Sequence, residues 1–194
     1  EAVLAERHLA AGELQAARAL SGDFEDTLRH TVDRVRVLRA RCFVGLVDLL
    51  LGDAAPEAVA ERSATTSDEL ARGGAVRDAV FIAMQPATTL LLLGHTAHAA
   101  GLLERVQGAV DEGWPSGWLR SLNRAERLLA WRRGEPLPEP IEARPAEDIE
   151  ARALEDATLA FVAEDGARID EIADALEGRG RTLLAGLIRG ARDR

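Results

Sequence analysis

Lysine and tyrosine are both missing from this chain of 194 residues, which has one cysteine, one methionine and only 4% aromatic residues. A lone Cys42, set among apolar neighbours in Arg41-Cys42-Phe43-Val44, excludes an internal disulfide and points to a reducing cytoplasm. The 24 basic residues are therefore all arginine, a usage that reflects a GC-rich genome, and we expect a bacterial source of the actinobacterial kind. With 33 acidic residues the net charge is −9, so the chain as a whole is repelled by nucleic acid and by anionic membrane surfaces. No apolar run approaches the roughly 18 residues of a membrane span. There is no charged-then-apolar signal segment, and helical periodicity is under way from Glu1 through Val3, Leu4 and Leu9. We expect a piece, or a processed product, of a longer protein.

Chemical motifs are scarce as well. The chain holds no glycine-rich phosphate loop, no Gly-x-Ser-x-Gly and no cysteine in a recognisable histidine context. Adjacent carboxylates such as Asp111-Glu112, Glu164-Asp165 and Asp170-Glu171 point in different directions on a helix, so they read as solvated faces. His95 and His98 stand one turn apart and could share a metal ion, but no third ligand is placed beside them and we assign no metal and no cofactor. His8 and His30 have no motif around them.

What is abundant is helix-forming residue, 47% apolar and dominated by alanine and leucine. Four apolar stretches close on a glycine: Leu9-Ala10-Ala11-Gly12, Leu49-Leu50-Leu51-Gly52, Leu91-Leu92-Leu93-Gly94 and Trp131-Arg132-Arg133-Gly134. These glycines lie 40, 42 and 40 residues apart, a period that marks a repeat architecture. Glycine ends a helix there because it takes left-handed backbone angles without steric strain.

Apolar spacing and breakers place two helical segments in each gap. The pattern predicts helices over Thr27–Leu51, Pro56–Ala71, Val76–Leu93, Thr96–Asp111 and Pro115–Arg133, with Pro86 kinking the third or lifting its first turn. Pro136, Pro138, Pro140 and Pro145 then hold residues 135–145 extended. Further helices are expected near Ala146–Ala163, Ile169–Leu176 and Arg179–Arg192. The fold is thus read as all-α: antiparallel helix-pair repeats over residues 1–134, a proline-rich connection over 135–145, and an irregular cap over 146–194 that packs on or continues the array. The first helix is short, so the N-terminal end should expose apolar surface and favour self-association.

These helix-Gly-acid-helix units resemble tetratricopeptide repeats, in the form of about 40 residues found in large bacterial transcription activators of the MalT type. Seven residues before the glycine the family has a small residue, matched by Ala5, Gly45 and Ala87 but not by Arg127. In the third unit Ala99, Leu103 and Val106 also match. The aromatic residues of the 34-residue form are largely missing, and Ala54-Ala55-Pro56 is an insertion. Arg181–Arg189 looks like the first helix of another unit. The resemblance implies an α-solenoid whose first helices line a concave ligand surface, at about 13, 10, 6 and 3 residues before each glycine. Those steps give Arg39, Cys42, Leu46 and Leu49; then Phe81, Met84, Thr88 and Leu91; then Ser121, Arg124, Leu128 and Trp131.

Such a mixed lining suits an amphipathic peptide, a protein segment or a small effector. The expected function is therefore a non-enzymatic, cytoplasmic binding module, the sensor part of a bacterial transcription or signalling regulator, with nucleic acid and membrane not expected as partners of these residues. A second reading is a DNA-binding factor, because Glu171-Ile172-Ala173, Leu176, Thr182-Leu183 and Leu187 have spacings similar to the helix-turn-helix of LuxR-type regulators. Arg179 and Arg181 would then open a recognition helix within residues 166–194. An enzyme with an unrecognised site ranks last.

Overall fold

The structure, a computed structural model, describes residues 2–28, 33–110, 113–141 and 149–193, with the side chains of Ala2 and of residues 24–28 left aside. Among these residues there are ten helices and no strand. They are α1 (Ala2–Ala10), α2 (Leu14–Leu28), α3 (Arg34–Leu51), α4 (Pro56–Arg72), α5 (Val76–Leu92), α6 (Thr96–Ala109), α7 (Ser116–Arg133), α8 (Ile149–Val162), α9 (Gly166–Glu177) and α10 (Thr182–Arg192).

The four aligned glycines all take the left-handed conformation, with φ between 66° and 86°. Gly74 and Gly180 do the same, and so does one residue that is not glycine, Glu164 at φ 53°. Each makes the same two bonds. Its own N–H donates to the carbonyl three residues back, and the next N–H donates to the carbonyl five back, as in Gly94 to Leu91 at 3.0 Å and His95 to Leu90 at 2.8 Å. This double bond set satisfies carbonyls that the helix leaves without partners and turns the chain back on itself. Helices therefore follow one another as antiparallel neighbours, α1 on α2, α3 on α4, α5 on α6 and α9 on α10.

Helix starts are marked by different chemistry. Asp33 caps α3, its carboxylate accepting from the Arg36 N–H at 3.2 Å, and Asp165 caps α9 through the Arg168 N–H at 3.0 Å. Pro56 opens α4, where a missing N–H costs nothing. The single helix expected over Thr27–Leu51 is corrected by the Asp33 cap: Thr27 and Leu28 end α2, and the next described helix begins at Arg34. Pro86 lies buried within α5, which runs through it although the Ile82 carbonyl loses its amide partner. Val110 is extended and ends α6, and Asp111 and Ala146, expected in helices, lie outside the described residues.

Packing sorts the helices into rows. α3, α5 and α7 lie side by side, α4 and α6 form a second row behind them, and α8, α9 and α10 follow, with α10 lying on α5 and touching α1. Small residues allow the close approach: Ala5, Gly45 and Ala87, each seven before its glycine, are buried, as are Ala99, Leu103 and Val106. One apolar cluster runs from Leu46 and Leu90 through Leu128 to Phe161, Ile172 and Ile188, so residues 149–193 share the core of the preceding helices. Val3 and Leu4 are exposed on α1.

Arg127 breaks the small-residue rule for a structural reason. It is only 3% exposed and lies 2.8 Å from the Glu155 carboxylate of α8, aligned as an ion pair and not as a hydrogen bond. Its guanidinium also donates to the Pro138 carbonyl. Asn123 adds two bonds, to the Glu139 carbonyl at 3.0 Å and from the Ile141 N–H at 3.1 Å. The extended segment is thereby strapped along α7 where a paired helix would otherwise pack.

These contacts set the stability of four variants. A Cβ at Gly52 meets nothing within 4 Å, so Gly52→Ala should destabilise through backbone strain alone, by about 1–2 kcal/mol. Glu164→Gly should instead stabilise by about 0.5–1 kcal/mol, as its side chain is exposed. Arg127→Ala should cost about 2–3 kcal/mol, less than a fully buried pair because Glu155 is a quarter exposed, and the double change Arg127→Met with Glu155→Met should recover most of that. Urea denaturation of the four proteins checks all of these values.

Candidate functional site

Eight of the twelve expected ligand-surface residues come together around two adjoining cavities. The first, of about 460 Å³, lies between α1, α2, α3 and α5 and is lined by Arg39, Cys42, Leu46 and Phe81. The second, of about 590 Å³, is bounded by α1, α3, α5, α7, α8 and α10 and is lined by Leu46, Phe81, Met84, Thr88, Ser121 and Arg124. They share Glu6, Phe43, Leu46, Phe81 and Gln85, and so form one trough. Leu128 and Trp131 line neither. Leu128 is fully buried in the core, and Trp131 stacks on Phe161 with centroids 4.3 Å apart and planes at 17°. Leu49 and Leu91, at the lowest step of α3 and α5, are buried in the same core.

The upper turns of the row are laced by charge and aromatic contacts. Arg39 sits 3.4 Å from Asp78 and 4.8 Å from the centre of the Phe81 ring, both one helix along. Phe81 meets Trp118 edge to face at 6.4 Å, and Trp118 meets Trp114 at 5.9 Å. Arg36, Asp78 and Trp118 share one register, sixteen residues before their glycines. One more helical turn back along each first helix was the sequence signal that would have found them.

The far side of the trough could not be found that way. α10 turns Leu183, Leu184 and Leu187 towards the second cavity while burying Ala185, Ile188 and Ala191 against its neighbours. The Thr182 hydroxyl donates to the Ala11 carbonyl, so α10 meets the loop between α1 and α2. α1 is packed on α2 and α10, and not on α3 in the way that α3 packs on α5, which leaves the first cavity between α1 and α3.

The other candidate constellations do not converge. The His95 and His98 rings are 6.4 Å apart, His98 is 3.9 Å from Glu57, and no group of three metal-binding side chains occurs among the described residues. His8 pairs with Glu13, while His30 and Asp111-Glu112 lie outside the described residues. Asp170 meets Arg192 at 3.1 Å, whereas its neighbour Glu171 meets Arg168 at 3.0 Å, so the two point apart. In the stretch read as a helix-turn-helix, Arg189 is held by Asp174 at 2.5 Å and by Glu177, and Arg181 by Glu150 at 2.9 Å. The helix that would enter a DNA groove is packed on α5 and carries acid-paired arginines.

Comparison of the chain with protein families, with curated proteins and with solved structures gives no match.

The buried Cys42 thiol is pushed up from its ordinary pKa by burial, partly offset by hydrogen bonding to Thr66, the charge of Arg62 and hydrogen bonding to Ser63. It is a neutral wall of the cavity and not a nucleophile. Because the chain has no lysine and no tyrosine, this thiol is the one side chain that titrates between the histidines and the arginines. In the unfolded chain it ionises first, near its ordinary pKa, so the folded state holds more protons above that point. Above about pH 8 the thiol should lower stability by at most about 1.4 kcal/mol per pH unit until its folded form also ionises. Cys42→Ala should remove that slope in denaturation curves recorded from pH 7 to 11.

Proposed function

We propose that this chain is a tetratricopeptide-like binding module, the sensor part of a larger bacterial transcription or signalling regulator, and that it takes a small effector in the trough between the α3, α5, α7 row and α10. One observation carries the reading: equivalent positions on α3, α5 and α7 converge on two adjoining cavities of ligand size. In the family that the units resemble, these first-helix positions are the ligand surface.

The enclosure favours a small effector over an extended protein segment. α10 lies across the row, and its contact with the loop at Ala11 closes one side, so the chain itself occupies the path that a long peptide would follow. The second cavity sets Thr88, Ser121 and Arg124, each fixed by a hydrogen bond within its own helix, with Glu6, Gln85, Thr89, Glu150 and Arg181 among apolar walls, a lining that suits orientation of a compact molecule. A binding role without chemistry accords with the scattered carboxylates and histidines. The free thiol fits a reducing cytoplasm, and no described helix is long and apolar enough to cross a membrane.

Thermal melting against a diverse set of small metabolites tests this. A ligand present at a hundred times its Kd contributes about 2.7 kcal/mol, which for a chain of this size should raise Tm by about 5–10 °C. Met84→Trp, which fills the second cavity, should abolish the rise without lowering the Tm of the free protein by as much. A rise that survives Met84→Trp, or one produced only by duplex DNA or by long peptides, would overturn the proposal.

A further inference from the structure

We infer that the cavity between α1, α3 and α5 is a site for a small amphiphilic anion, a carboxylate or sulfonate carried on a compact apolar body. The inference rests on the small-effector reading and names the ligand class of the first half of that trough. Its floor is made of buried Ala5, Ala40, Cys42, Leu46, Ile82 and Pro86. The one hydroxyl there, on Ser21, already donates to the Ala17 carbonyl at 2.5 Å. A ligand placing a charge or several polar groups on this floor would lose their hydration and find at most the Ser21 oxygen as an acceptor. The bound body is therefore apolar.

The mouth has the opposite character. Arg36 and Arg39 stand one turn apart on α3, and both side chains reach solvent, 71% and 47% exposed. Each is anchored by a carboxylate that is not part of the cavity wall: Asp33 meets the Arg36 Nε at 3.0 Å, and Asp78 lies 3.4 Å from an Arg39 terminal nitrogen. A guanidinium has five N–H donors, so one such contact holds the group in place and leaves donors for a second anion. Phe81 beneath Arg39 holds it further. Exposed pairs of this kind contribute little by themselves and exchange readily with a ligand carboxylate. Glu6, on α1, is the single acid in the lining, and it disfavours an anion. Asp33 and Asp78 each offset one arginine and Glu6 adds a further negative charge, so an anion is held here by the guanidinium N–H donors left over on Arg36 and Arg39 and not by net positive charge, while the floor beneath takes an apolar body.

Fluorescence titration of the full 194-residue chain with 1-anilinonaphthalene-8-sulfonate, followed by displacement with decanoate, decanol or decyltrimethylammonium, tests the inference. Decanoate should displace the dye at least tenfold more effectively than the other two. Arg36→Gln with Arg39→Gln should weaken decanoate about tenfold and leave decanol unchanged, and Glu6→Gln should strengthen decanoate. Ala40→Leu, which fills the floor, should weaken all three competitors; if it does not fold, Ala5→Leu serves the same purpose. Equal displacement by decanol, or unaltered decanoate affinity in the arginine double variant, overturns the anion assignment. Dye binding untouched by the filled floor shows that this cavity is not the site. Either result, with a metabolite-induced Tm rise still lost in Met84→Trp, removes the inference and leaves the trough reading standing.

Discussion

Every helix in this chain ends with carbonyl groups that have no partner inside the helix, and the way those carbonyls are satisfied governs the rest of the molecule. Among the described residues the solution is seven times the same left-handed residue, with two backbone bonds reaching three and five residues back. Because the turn is tight and always of one hand, the next helix must return alongside the one before. Six of the seven positions are glycine, and the seventh, Glu164, accepts strain at a junction between α8 and α9 that lies beyond the repeated part. A short, repeated turn leaves little freedom for anything but layered helix pairs.

The layers come close where side chains are small and are held apart where they are not. Ala5, Gly45 and Ala87 permit contact at the same level of successive first helices. At that level in α7 stands Arg127, and the pairing rule stops there. Its charge, mostly out of water, needs compensation, which Glu155 and the Pro138 carbonyl provide. Arg132 works in a similar manner in the last turn of α7, donating to the Leu91 and Leu92 carbonyls at 2.9 and 3.2 Å at the end of α5. With no lysine available, arginine serves throughout as the joiner of helix ends, acids and aromatic faces.

The trough is a consequence of how the array ends, not of the repeats alone. Open repeats would present the row of α3, α5 and α7 to solvent along its length. Here α10, with one apolar face in the core and another towards the trough, folds back over α5 and meets the loop after α1. Asp170, Asp174 and Glu177 of α9 pair with Arg189 and Arg192 of α10, so those arginines are already spoken for, unlike the donors left over at the mouth of the first cavity.

Local rules were legible from the sequence by itself. The glycine period fixed where helices turn, because left-handed angles depend on one residue, and the apolar spacing fixed which face of each helix is buried, because burial follows a 3.6-residue period. Together with the lining steps that the resemblance to tetratricopeptide repeats implies, that was enough to name Arg39, Cys42, Leu46, Phe81, Met84, Thr88, Ser121 and Arg124 as neighbours across three helices. It misjudged Thr27–Leu51, where a periodic apolar stripe hid the Asp33 cap, and it missed Arg36, one turn beyond the steps taken. It also placed Leu128 and Trp131 on a surface that later helices cover. Only the tertiary structure decided that covering, together with the partners of Arg127 and the closure of the trough by α10. Those depend on contacts between residues as far apart as Ala11 and Thr182, and no local period records how a chain returns to meet itself.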